Sequence, residues 1–254
     1  MVSVVRFPLT ALLLGLLAAC ASPQPKVALD DQTAQELNTI TIVRPPQELT
    51  LVVHNLGHPA TAFGIIGGAI AASDEQDKSN RFSEAMIAQK FSARSALLSA
   101  LERGLVQAGY KVEITDGEWV KADGKYTLQY DKLPKDRVVL VVSPRIVGYV
   151  TTSVVADYQP TMWVVATLLN KDHVEIYRGY HSTGWKSQFN GELWKFTAAK
   201  TAFPNFDALL GDPQKSASAL RESADAISAS IAADLRKGAS PRTNDVAASA
   251  TKMN

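Results

Sequence analysis

Hydrophobic positions change their spacing several times along the chain, and each change marks an element. Ile40-Thr41-Ile42-Val43 offers a start to the fold, and Arg44-Pro45-Pro46 interrupts it, because consecutive prolines remove ladder donors. Leu49 to Val53 predicts the first firm strand. From Asn80 to Ala108 the spacing becomes helical, with Phe82, Met86, Ile87, Phe91, Leu98, Leu101 and Leu105 on one stripe and Gly109 placed to end it. Tyr110 to Ile114 alternates again and predicts a strand packed back on that helix. Asp116-Gly117 and Asp123-Gly124 read as turns, and Tyr126 to Tyr130 as a weak strand or loop.

The second half opens on two apolar runs, Val138–Val142 and Ile146–Val150, which flank Ser143-Pro144. A proline inside so long a run predicts a bulge or an edge strand. Thr161–Leu169 and Val174–Tyr180, joined by the turn-like Asn170–His173, predict a β-hairpin. Trp185 to Asp212 has no clear period, and its aromatic residues predict an ordered excursion. Asp212-Pro213 then caps a final helix, with Leu220, Ala224, Ile227, Ile231 and Leu235 as its buried stripe and Gly238 as its end.

This order predicts an α+β fold, a mostly antiparallel sheet with helices packed on one face, in a single domain over residues 39–238. Residues 20–38 carry Pro23, Pro25 and polar residues without apolar periodicity and predict a flexible tether. Residues 239–254 predict a disordered tail. One stretch fits neither period: Phe63 to Ala72 is apolar, small and glycine-rich. Gly64, Gly67 and Gly68 would let a buried helix approach another backbone closely, or would form a face for self-association or membrane contact, as small-xxx-small faces do.

The extreme N-terminus adds an address. Met1 to Ala19 has one basic residue, Arg6, before an uncharged run from Phe7, which is too short for the roughly 20 residues a spanning helix needs. Leu17-Ala18-Ala19-Cys20 closes it and resembles the lipobox of bacterial lipoproteins. The resemblance implies a signal peptide over residues 1–19, cleavage before Cys20, and acyl chains, palmitate among them, on that cysteine's sulfur and amine. Ala21-Ser22, with no aspartate after the cysteine, implies sorting to the outer membrane and a domain facing the periplasm.

Composition then excludes more than it selects. The chain has 254 residues, 46% of them hydrophobic, enough for one sizeable core. Losing residues 1–19 removes Arg6 and leaves equal numbers of basic and acidic residues. Neutrality argues against nucleic-acid binding, which needs a basic face. Cys20 is the sole cysteine, so the chain has no internal disulfide.

Candidate chemistry is thin. His54 and His58 are four apart, but Gly57 and Pro59 oppose the helix that would make that a ligand pair, and His173 and His181 fall at opposite ends of a predicted strand. Asp116, Glu118 and Asp123 read as a solvated loop. Ser143, Ser153 and Ser182 lack a nucleophile elbow, and the glycines at 64, 67 and 68 lack the lysine of a phosphate loop. We expect no metal, no cofactor and no catalysis. Trp163, Tyr177, Tyr180, Trp185 and Trp194 crowd the hairpin and the excursion after it, as residues enriched at binding surfaces would.

Beyond the lipobox, the helix-Gly-Tyr-strand run of residues 97–112 and the meander of Val138–Tyr180 before a closing helix resemble the α/β modules of periplasmic accessory lipoproteins. Those include penicillin-synthase activators, curli-secretion factors and auxiliary lipoproteins of ABC-type transporters. The expected function is therefore a lipid-anchored protein that binds or assembles another envelope component. Two alternatives stand beside it: an auxiliary subunit handling lipid or solute for a transporter, and a protein that self-associates through residues 63–72.

Overall fold

The computed structural model describes residues 24–47, 49–122, 125–186 and 193–236, with the backbone alone for 63–67 and 125. Residues 1–23, Asp123-Gly124 and the predicted tail lie outside the described residues.

A single mixed sheet organises the domain. Its long strands are β6 (Val139–Thr151), β7 (Gln159–Leu169) and β8 (Glu175–Thr183), paired antiparallel in a meander. β1 (Thr39–Val43) and β2 (Val52–Asn55) lie end to end along the free edge of β6, both parallel to it. Arg44-Pro45-Pro46 falls in the gap between them, so the prolines remove no ladder bond. β3 (Lys111–Thr115) pairs parallel with β1, and β9 (Lys195–Thr197) pairs parallel with β8. The antiparallel meander carries most of the pairing, and the parallel pairs extend it at both sides. A small separate hairpin, β4 (Trp119–Ala122) with β5 (Lys125–Leu128), covers part of one face.

The predicted bulge is present: the register of β6 against β7 shifts between Pro144 and Ile146. Arg145 is the extra residue, and the bulge sits opposite the gap between β1 and β2, so the Pro144 nitrogen faces no strand that would need its donor.

The other face carries the helices. α1 (Asp31–Glu36) precedes β1, α2 (Gly64–Ala88) and α3 (Ala93–Gln107) follow β2, and α4 (Phe206–Gly211) leads into α5 (Pro213–Asp234). Asp212 caps α5 by accepting from the Lys215 N–H, with Pro213 in its first turn. The whole predicted stripe from Leu220 to Leu235 is buried. The core between layers centres on Phe82, Tyr149 and Phe203, stacked edge to face at 5.2 and 5.6 Å.

Three expectations need correction. The helix predicted over Asn80–Ala108 is two helices, because α2 ends in a left-handed turn at Lys90 (φ 51°). The Phe91 N–H returns to the Met86 carbonyl and that of Lys90 to Ile87, a Schellman cap with lysine where glycine is usual. Ser92 then caps α3.

The stretch predicted as a tether is ordered from Gln24 onward. Val27 exchanges two backbone hydrogen bonds with Arg178 on the edge of β8, and Asp30 caps α1 through the Thr33 N–H. The glycine-rich stretch, finally, makes no close approach at Gly68, where a Cβ would meet nothing within 4 Å, although Ala71 of the same stretch is buried. The helical close approach lies at Gly104 of α3, where a Cβ would come 2.3 Å from the Ser228 Oγ of α5.

Candidate functional site

Alternation along β7 and β8 decides which side chains reach the helix-free face. Trp163, Val165 and Thr167 of β7, with Arg178, Tyr180 and Ser182 of β8, point outward, while Met162, Val164, Tyr177 and His181 point toward the helices. Trp163 stacks on Trp185 at 4.9 Å with the rings 11° apart, and lies 4.7 Å from Trp194. Tyr180 meets Trp194 edge-on at 5.3 Å. The structure thus brings together Trp163, Tyr180, Trp185 and Trp194.

Tyr177 departs from the expected surface. It is 2% exposed and faces α5, because it is one residue out of phase with Arg178 and three with Tyr180.

Beside the tryptophans, across the Ile146–Trp163 pair, runs a cleft of about 470 Å³. Trp119, Tyr126 and Tyr130 from the β4–β5 hairpin and its exit form one wall, and Ser143 to Val147 at the bulge form the floor. The bulge opens this cleft by breaking the flat run of β6 at Pro144. Trp119 is held by its indole N–H donating to the Arg44 carbonyl at 2.8 Å. Arg44 in turn pairs with Asp116 at 2.9 Å. Sequence reasoning missed Trp119, Tyr126, Tyr130 and Ile146, since hairpin and bulge come together only in the fold.

Behind β8 lies a buried polar chain that sequence spacing also concealed. The His181 Nδ1 is 2.8 Å from the Ser230 Oγ, its Nε2 is 2.8 Å from the Tyr177 hydroxyl, and Tyr177 donates to the Asp234 carboxylate at 3.1 Å. Lys195 of β9 closes the chain as an ion pair with Asp234. With Tyr177 donating to Asp234, the arrangement places the imidazole proton on Nε2 and lets Nδ1 accept from Ser230. Burial pushes the His181 pKa down to about 4, against the opposing pull of Asp234. Burial, helped by Asp234, drives the Tyr177 hydroxyl well above its ordinary range.

The other histidines are engaged singly. His54 is 2.9 Å from Glu75, His58 is 3.5 Å from Asp74, and His173 is 3.1 Å from the Pro134 carbonyl. Among the described residues no group of three His, Cys, Asp or Glu is placed to hold a metal ion. Among them too, no helix is long and apolar enough to cross a membrane. Gly64 and Gly67 begin α2, and Cys20 lies outside the described residues.

No family model and no curated protein matches this chain. Among solved structures it matches the crystal structure of lipoprotein GNA1162 from Neisseria meningitidis, at 15% identity and a TM-score of 0.25, over 61% of this chain and 90% of that one. A likeness that weak bears on neither mechanism nor partner.

Proposed function

We propose that this chain is a non-enzymatic lipoprotein, anchored through acylated Cys20 in the outer membrane and facing the periplasm, that binds another envelope component through the helix-free face of its sheet. The observation that carries the reading is the continuity of the aromatic stack and the cleft on a face that none of the described α-helices covers. Aromatic residues give large contact area for little lost side-chain freedom, as binding surfaces require. The anchor rests on the Leu17–Cys20 motif.

The buried chain at His181 favours structure over catalysis. An imidazole with a pKa near 4 is a weak base at neutral pH. Ser230 sits inside α5, where the neighbouring backbone N–H groups are committed to the helix rather than free to stabilise an oxyanion.

The test is a photo-crosslinking amino acid placed in the cleft at Tyr126 or Ile146, with exposed Val106 of α3 on the opposite layer as control. Capture of one and the same envelope component from both cleft positions, and not from Val106, is the expected result. Trp194→Ala should then weaken that complex by about tenfold or more, the loss typical of a buried aromatic anchor. Equal capture from all three positions would count against the face.

A further inference from the structure

The two ends of the sheet differ in polarity. At one end the segment before β6 carries Asp131, Lys132, Lys135, Asp136 and Arg137, and the β7–β8 turn beside it carries Lys171 and Asp172. At the other end, where β2, β6 and β8 finish and β7 starts, two connections, β2–α2 and β6–β7, carry a single charged residue between them before Asp74. From Leu56 to Ser73 there is no Lys, Arg, Asp or Glu, and the β6–β7 loop reads Thr152-Ser153-Val154-Val155-Ala156-Asp157-Tyr158, with Asp157 its one charged residue. These two connections pack directly on each other: the Leu56 N–H donates to the Thr151 carbonyl at 2.9 Å, and a Cβ at Gly57 would lie 2.4 Å from the Ser153 Cα.

Their apolar side chains point into solvent. Val155 is 88% exposed, Val154 63%, Ile70 57% and Leu56 48%. Helix α2 adds to this end. Glu75 accepts from the Asn55 N–H at the last residue of β2, and Ser79 from Val53, so α2 descends along the strand from that level. The residues from Gly64 to Asp74 therefore stand beyond the end of the sheet by about 16 Å of helix.

The chain leaves toward its N-terminus on the same side. The Gln24 carbonyl accepts from the Tyr180 hydroxyl at 2.6 Å, and Tyr180 is three residues from the end of β8. Gln24 is four positions after Cys20, a reach of at most about 14 Å. A lipid attached at Cys20 would then hold a bilayer close to this end, because the ordered chain leaves no long tether.

We infer that the Val154–Val155 loop, Leu56 and the projecting first turns of α2 seat in the membrane interface, and fix the domain upright on the lipid surface beside its acyl anchor. The inference rests on lipidation at Cys20, and the occupant is the bilayer. The contact is interfacial, with apolar side chains at the headgroup boundary and no spanning segment.

The test uses full-length, processed protein carrying Val155→Cys, labelled with a polarity-sensitive fluorophore in vesicles of phosphatidylethanolamine and phosphatidylglycerol. Lys171→Cys, at the charged end, is the control. Acylation blocks the only native thiol, so one label per chain and flotation with the vesicles report that the anchor is present.

The expected result is a blue-shifted emission at position 155, quenched several-fold more by headgroup-region spin-labelled lipid than at position 171. Equal, weak quenching at both positions in protein that carries one label and floats would overturn the seating while leaving the anchor intact. Emission shifted at 155 only when chains are crowded, without lipid quenching, would overturn it in favour of a second copy. Two labels per chain and no flotation would instead remove the anchor itself, and the seating with it.

Discussion

Gly148→Ala is expected to cost the domain about 3–5 kcal/mol, a large part of the 5–15 kcal/mol that holds a typical domain together. Gly148 lies on β6 at φ 150°, in register with Val52 of β2. A Cβ there would fall 1.9 Å from the Val52 carbonyl oxygen and 2.7 Å from its nitrogen. Backbone cannot yield as a side chain tip does, so relief requires β2 to leave the edge of β6. That would uncover buried Val53 and break the bonds that Val53 and Asn55 donate to Ser79 and Glu75 of α2.

A thermal melt should show a loss of about 10 °C or more for this variant. Gly68→Ala is the matched control: a Cβ there meets nothing within 4 Å, so the better helix former should leave stability level or raise it slightly. A Gly148→Ala melting point within the error of wild type would contradict the described pairing of β2 with β6.

Acid is expected to destabilise the protein before its carboxylates titrate, through His181. The imidazole titrates near 6.5 in the unfolded chain and near 4 when buried, so between those values the unfolded state takes up a proton that the folded state refuses. Stability from this site is complete above about pH 6.5 and falls as pH drops toward 4. The loss between pH 7.5 and pH 5 should be about 2 kcal/mol, read as a fall in the urea midpoint. His181→Gln, whatever its stability at neutral pH, should flatten the slope over that interval. A wild-type midpoint constant from pH 7.5 to 5 would mean that the imidazole is not held neutral between Tyr177 and Ser230.

Elements whose signals are local were legible in the sequence. The hairpin of β7 and β8, the cap and stripe of α5, the glycine at φ 95° after α3 and the bulge at Pro144 each arise from a few neighbouring residues. What was not legible depends on distant partners. The break at Lys90 carries no sequence signal, because its left-handed cap uses lysine and apolar residues continue on both sides of it. The order of Gln24 to Leu37 comes from pairing with Arg178, which no feature of a proline-containing polar stretch announces.

The same division holds for the face. Trp163, Tyr180 and Trp185 could be grouped because they crowd one hairpin, but strand alternation turns Tyr177 to the core. The cleft beside them needs Trp119 and Tyr126 brought against Ile146, contacts that arise only when the β4–β5 hairpin folds over the bulge. His181, Ser230 and Asp234 are likewise assembled by the packing of α5 on β8.

The proposed function stands first on what is attached at Cys20. Intact-mass and peptide mass spectrometry of the protein recovered from the membranes of a bacterial host measures that directly. The account predicts a chain beginning at Cys20, with a diacylglyceryl group on its sulfur and an acyl group on its amine, and a Cys20→Ala form that no longer fractionates with the membrane. A mature chain that begins elsewhere, or whose Cys20 carries no lipid, would contradict it.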